Sequence, residues 1–187
     1  MNTDKVCVFT DQGKMHTVKV LDLPFGKFRD KGTPIDNLCN YSSAQEQMVF
    51  VSSLEGIKQN KLMFVSRCGM CKVVDGFEFD VSKRTIAATK LTDEQDRLIL
   101  AGIYDESDYL VLQSQNGYFL RFLANEVPEK KKTAIGVRGM RLAEGDFIEN
   151  AYLLASRMEY EIEYKDKKLV LNKLKLAKRD TKGTKKQ

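Results

Sequence analysis

The sequence predicts an all-β protein, a propeller-like array of about four repeated units. Three observations carry that prediction. Short apolar runs each end in a polar turn and a glycine: Lys5–Thr10 before Asp11-Gln12-Gly13, Lys61–Ser66 before Arg67-Cys68-Gly69, and Tyr109–Ser114 before Gln115-Asn116-Gly117. A second β-rich run follows each glycine, at Met15–Val20, Met70–Val74 and Tyr118–Leu123, so residues that suit a pleated surface flank a turn that favours positive φ. The three glycines lie 56 and 48 residues apart, the length of a four-stranded blade with its connections.

Further elements follow in chain order. A strand is predicted ahead of the second hairpin (Gln47–Val51), ahead of the third (Arg97–Ala101), and at the opening of a fourth unit (Asn150–Leu154). Gly32 follows Gly13 by 19 residues and Gly136 follows Gly117 by 19, with Leu38 and Leu142 each six residues later. In the second unit that glycine position falls on Thr85 when Leu91 is aligned with those leucines. The first unit lacks a leading strand and the fourth is abbreviated, running through Lys168–Asn172 to Arg179–Thr184. Two arrangements answer to that: the terminal pieces complete one another's blade, or a segment lies upstream. Few helices are expected, and the short helical pattern over Leu91–Leu100 yields to strand at Arg97–Ala101. Residues 1–176 are expected to form the β domain and 177–187 a basic, mobile tail.

Composition narrows the function classes. The 187 residues are 42% hydrophobic, enough for a sizeable core. No run reaches the roughly 18 apolar residues that span a bilayer, and Met1–Lys5 has no apolar stretch of a secretory signal, so a soluble, cytoplasmic chain is expected. Net charge is +5 but uneven: Lys165–Gln187 has ten Lys/Arg against Asp166 and Asp180, which leaves the rest net negative. The C-terminal end is therefore the part best suited to a polyanion.

The inventory for catalysis is thin. Cys7, Cys39, Cys68 and Cys71 are too few and too unevenly spaced for a disulfide framework, and His16 is the one histidine. Cys68-Gly69-Met70-Cys71 has the CxxC spacing of a zinc half-site or redox pair. Yet Cys68 aligns with Gln12 and Asn116, and Cys71 with Met15 and Phe119, which makes both ordinary hairpin positions. His16 has no Cys, Asp or Glu at ligand spacing beyond Asp11. No metal and no cofactor are expected.

Two stretches carry a family resemblance. Asp108–Tyr118 followed by Lys132–Leu142 resembles one complete blade of the β-pinwheel in gyrase A and topoisomerase IV A subunits, and Leu171–Thr184 is similar to the C-terminal segments of such subunits in low-GC Gram-positive bacteria. The resemblance covers nearly the whole chain, least at Cys39–Glu46 and Arg157–Lys165. Strongly wrapping gyrases carry a Gln-Arg-Arg-Gly-Gly-Lys-Gly box in their first blade. Here its nearest match, Ala177–Gly183, keeps Arg179, Lys182 and Gly183 at the opposite end, which favours a topoisomerase IV type or divergent gyrase-like protein.

The resemblance implies a β-pinwheel of about four blades, the first and last incomplete, that binds and bends duplex DNA without sequence preference. It implies no catalytic residue, since the family's catalytic tyrosine lies in an upstream winged-helix domain. Partners would be double-stranded DNA, the catalytic core of the same polypeptide and the ATPase B subunit, with no membrane and no small-molecule substrate. The expected phosphate contacts are Lys27, Arg29 and Lys31; Lys130, Lys131, Lys132, Arg138 and Arg141; and Lys178, Arg179 and Lys182. Solvated loop lysines, blade-contact arginines and a protein-interaction propeller without nucleic-acid function are the competing readings.

Overall fold

The computed structural model describes residues 4–186. Its strands are β1 (Lys5–Thr10), β2 (Lys14–Lys19), β3 (Met48–Ser53), β4 (Lys61–Ser66), β5 (Met70–Asp75), β6 (Thr85–Ala87), β7 (Leu98–Tyr104), β8 (Tyr109–Ser114), β9 (Tyr118–Leu123), β10 (Val137–Arg138), β11 (Ile148–Leu154), β12 (Glu161–Tyr164), β13 (Lys167–Val170) and β14 (Thr184–Lys185). One α-helix, α1 (Leu54–Lys58), follows β3, its first turn capped by Ser53 Oγ accepting from the Gly56 amide.

The three predicted hairpins form where the apolar runs place them. Gly13, Gly69 and Gly117 take φ of 70°, 78° and 79°, conformations an L-residue rarely adopts. Each turn-glycine carbonyl also accepts a later amide, from Ala88 (2.8 Å), Gly139 (2.7 Å) and Lys186 (2.9 Å) respectively. Those donors mark one equivalent position in successive units, immediately past the ends of β6, β10 and β14.

Strand order shows how the blades are assembled. The four-stranded sheets run β3-β1-β2-β6, β7-β4-β5-β10 and β11-β8-β9-β14, with β12-β13 as a two-stranded sheet. Each hairpin is thus completed by the strand before and the strand after the next hairpin. The leading strands predicted within units 2 to 4 accordingly belong to the preceding sheet, and this exchange ties the blades together. The first hairpin's sheet is full, while the fourth hairpin stands as a pair. The terminal pieces do not complete one another: β1 pairs with β2 and β3, and β14 pairs with β9. The segment set apart as a tail runs along the third sheet instead, because Thr184 and Lys185 pair with Phe119 and Tyr118.

Leading strands β3, β7 and β11 touch their neighbours from blade to blade and so line the axis. Backbone bonds from Leu98 to the Asp11 carbonyl (2.7 Å) and from Ile148 to the Arg67 carbonyl (2.8 Å) join successive blades there. Trailing strands β6, β10 and β14 lie at the opposite, outer edge of each sheet.

The core fills the spaces between sheets. Phe9 of the first sheet meets Phe64 of the second and the intervening Phe79 at 5.9 and 5.3 Å between ring centres. Met63, Val65, Leu110, Leu112 and Phe122 fill the second space, and Val111, Phe119, Leu171 and Leu174 the third. Large apolar side chains in such layers contribute about 1.5–3 kcal/mol each on burial.

The first unit's counterpart of the trailing segment differs from the others. Val127 and Leu174, which precede β10 and β14 by the same spacing, are 3% and 5% exposed, whereas Leu23 is 39% exposed and Phe25 and Phe28 are fully exposed. No strand pairs with residues 20–33 among the described residues, so Gly32 lacks the positive φ of Gly136.

Candidate nucleic-acid interface

The outer edges gather cations. Residues 83–90 contain Lys83, Arg84 and Lys90 and no acid; residues 130–141 contain Lys130, Lys131, Lys132, Arg138 and Arg141 and no acid. Residues 173–186 add Lys173, Lys175, Lys178, Arg179, Lys182, Lys185 and Lys186 with one acid, Asp180. The carboxylates of the leading-strand turns, such as Asp96 and Asp146, are instead spent on backbone amides near the axis. The three trailing-edge segments are thus rich in cations, with Glu78 and Glu126 packed against them.

On the edges of the second and third sheets, chain segments far apart in sequence converge. Met140 bridges to Thr181, the Asp180 amide donates to the Gly139 carbonyl (2.8 Å), and the Arg141 amide donates to the Thr181 carbonyl (2.9 Å). Arg138, Arg141, Lys178, Arg179 and Lys182 consequently share one surface. Arg138 grips Asp180 with Nε at 2.5 Å and Nη2 at 3.0 Å, and Arg141 Nε stands 4.0 Å from the same carboxylate. The hydrogen bonds and charge of Arg138, with Arg141 and Arg179 nearby, hold the Asp180 carboxyl below its usual range.

Not every expected cation faces outward freely. Arg179 donates to the carbonyls of Glu126 and Arg138, so its guanidinium braces the segment. Lys132 Nζ donates to the Glu78 carbonyl, and Lys131 lies 3.6 Å from the Glu78 carboxylate. Lys182 sits over the Tyr118 ring at 4.6 Å. Lys130 and Lys178 are exposed, and neither side chain has a hydrogen-bonded or ionic partner among the described residues. Lys27, Arg29 and Lys31 are exposed on the unpaired 20–33 segment.

Lys72 organises the lysine turn from beneath. Its side chain is buried, and Nζ donates to the carbonyls of Lys131 (3.2 Å), Lys132 (2.8 Å) and Ala134 (2.5 Å). Burial pulls its ammonium down to about 8, against the opposing influence of Glu78.

Sequence reasoning missed Lys83, Arg84, Lys90 and Lys72. For Lys90 a signal existed: it precedes Leu91 as Arg141 precedes Leu142, and those leucines lie against the turn glycines Gly13 and Gly69. Lys72 carried none, since an alternating strand position does not announce a buried ammonium.

Two other chemical candidates, the Cys68–Cys71 pair and His16, have distinct surroundings. Cys68 is exposed and Cys71 buried, with burial raising their thiols to about 11 and about 12, which disfavours the thiolate a metal or redox role needs. No group of three or more His, Cys, Asp or Glu suited to a metal occurs among the described residues. His16 does find an acidic partner: Nε2 lies 3.2 Å from Glu46 and Nδ1 2.9 Å from Thr85 Oγ1. The pair joins residues 30 positions apart, beyond the reach of local spacing.

A model of the DNA gyrase C-terminal domain, beta-propeller, matches residues 60–103 and 108–155, each a hairpin, the trailing strand of the preceding sheet and the next leading strand. The chain belongs to this family. Its fold is the β-pinwheel: it superposes on the crystal structure of the C-terminal domain of DNA topoisomerase IV with a TM-score of 0.87 and 26% identity, covering 98% of this chain and 58% of that one. A DNA gyrase A C-terminal domain structure shares the fold at a TM-score of 0.72 and 20% identity, covering 98% and 60%. Among relatives, the DNA gyrase A protein of Deinococcus deserti is 33% identical over 76% of this chain and 18% of its own length. The DNA gyrase A protein of Lawsonia intracellularis is 28% identical over 84% and 19%, and the DNA topoisomerase 4 A protein of Streptococcus pneumoniae 28% over 81% and 19%. The chain spans about a fifth of the length of these gyrase and topoisomerase relatives.

Proposed function

We propose that this β-pinwheel binds duplex DNA without sequence preference and bends it along the outer edges of its blades. In doing so it presents a DNA segment to the separate catalytic core of a type IIA topoisomerase, whose ATPase B subunit works with that core in the cytoplasm. The observation that carries this reading is the enrichment of Lys and Arg on successive trailing edges, with Asp180 as the one acid within 83–90, 130–141 and 173–186.

The physics suits that arrangement. Bending 20–30 base pairs by 40–90° costs on the order of 1–6 kcal/mol, which many distributed phosphate contacts offset through counterion release. Exposed lysines serve as point charges along the path. Arg138 and Arg141, in contrast, offer planar donors suited to phosphate oxygens. The module itself supplies no cleavage chemistry; that belongs to the core.

Ligase-catalysed circularisation of a linear duplex of about 150 base pairs, one persistence length, tests this reading. Ring closure that speeds up with protein concentration is expected, and closure at the protein-free rate would overturn bending.

A further inference from the structure

Asp180 occupies an unusual place on the cationic surface. It is the one carboxylate within the three trailing-edge segments, and it faces the guanidinium of Arg138. Its backbone is pinned by the bond to the Gly139 carbonyl and by the Met140–Thr181 bridge, and its φ of 61° turns the side chain toward Arg138. Arg138 meets both carboxylate oxygens, and Arg141 approaches the same group while donating from Nη2 to the Asp180 carbonyl at 3.4 Å. This fork-on-fork geometry is the one a guanidinium offers to phosphodiester oxygens.

We propose that Asp180 is an internal occupant of a phosphate subsite formed by Arg138 and Arg141, and that it sets which anions the subsite accepts. The inference rests on the DNA-binding reading and deepens it. A lone phosphate gains nothing by replacing a tethered carboxylate already in place. A duplex held by neighbouring cations such as Lys130, Lys178 and Lys182 brings its phosphates at high effective concentration and displaces Asp180. The residue thereby biases the surface toward extended polyanions.

Asp180→Asn tests this, because asparagine tolerates positive φ and keeps one acceptor for Arg138. Binding of a long linear duplex is measured against salt for wild type, D180N and D180N with Arg138→Ala. The expected result is an affinity about three- to tenfold higher in D180N, a salt slope steeper by about one phosphate contact, and loss of that gain in the double variant. An independent reading that needs no variant is the nitrogen resonance of Arg138 Nε in the wild-type chain. It should move on saturation with duplex and stay in place with inorganic phosphate. Equal or weaker binding by D180N, or an Arg138 resonance unmoved by duplex, overturns the inference while leaving DNA binding intact. Absence of duplex binding by the wild type would instead remove the broader reading.

Discussion

Lys72 Nζ lies 2.8 Å from the carbonyl oxygen of Lys132, so a buried cation holds in place a turn whose own side chains are exposed cations. The arrangement has a pH signature. With its ammonium at about 8 when folded and near 10.5 when unfolded, the unfolded chain binds more protons between those values. The contribution of Lys72 to stability is therefore flat below about pH 8 and rises toward 10.5. The urea midpoint of the wild type, relative to that of Lys72→Met, should climb between about pH 7.5 and about 10; parallel curves would contradict the assignment.

Phe9 is fully buried against Phe50, Phe64 and Phe79 at the junction of the first two sheets. Phe9→Ala should cost about 3–5 kcal/mol, read from chemical denaturation, because neighbours anchored in two separate sheets collapse poorly into the space left. A loss below about 1 kcal/mol would show that the blades are not joined through this layer.

Gly136 and Gly32 look equivalent in sequence and should respond in opposite ways. At Gly136, φ is 109° and an added Cβ would stand 2.6 Å from the Cys71 carbonyl oxygen, while Gly32 has no atom within 4 Å of that position. Gly136→Ala should lower stability by about 1–3 kcal/mol and Gly32→Ala by almost nothing, a contrast that thermal melting resolves.

Glu46 is buried between Thr10 and His16. Burial alone would raise its carboxyl, but the hydrogen bonds from Thr10 and His16, with the charges of His16 and Lys14, bring it below the usual glutamate range. Its stabilising contribution is present above the unfolded value near 4.5 and is lost as pH falls through the lower folded value. Glu46→Gln should flatten that acid limb of the denaturation midpoint; an unchanged limb would refute the pairing.

The hairpins were legible because their information is local: alternating apolar residues and a turn glycine lie within a dozen or so positions, as in Lys61–Asp75. The trailing strands were not, since Val137 and Thr184 form strands only by pairing with Cys71 and Phe119, 66 and 65 residues away. β12 was hidden for a related reason. Glu161–Tyr164 alternates charged and aliphatic or aromatic residues that read as strand only opposite Lys167–Val170. The basic residues of 130–141 and 178–182 were visible as charge, but their convergence depends on strand exchange. Arg179 shows the limit most clearly: its expected phosphate role meets a guanidinium already committed to the Glu126 and Arg138 carbonyls.

The salt dependence of duplex binding, compared between two triple variants, tests the central claim most directly. Lys90, Arg141 and Lys182 lie at outer trailing edges, whereas Arg157, Lys165 and Lys167 are exposed cations in and beside the fourth hairpin. Replacing the first three with serine should weaken binding roughly tenfold or more and reduce the log–log salt slope by about 2–3, with little change when the second three are replaced. Equal losses from both sets would show that the protein attracts DNA by overall charge and not along its blade edges.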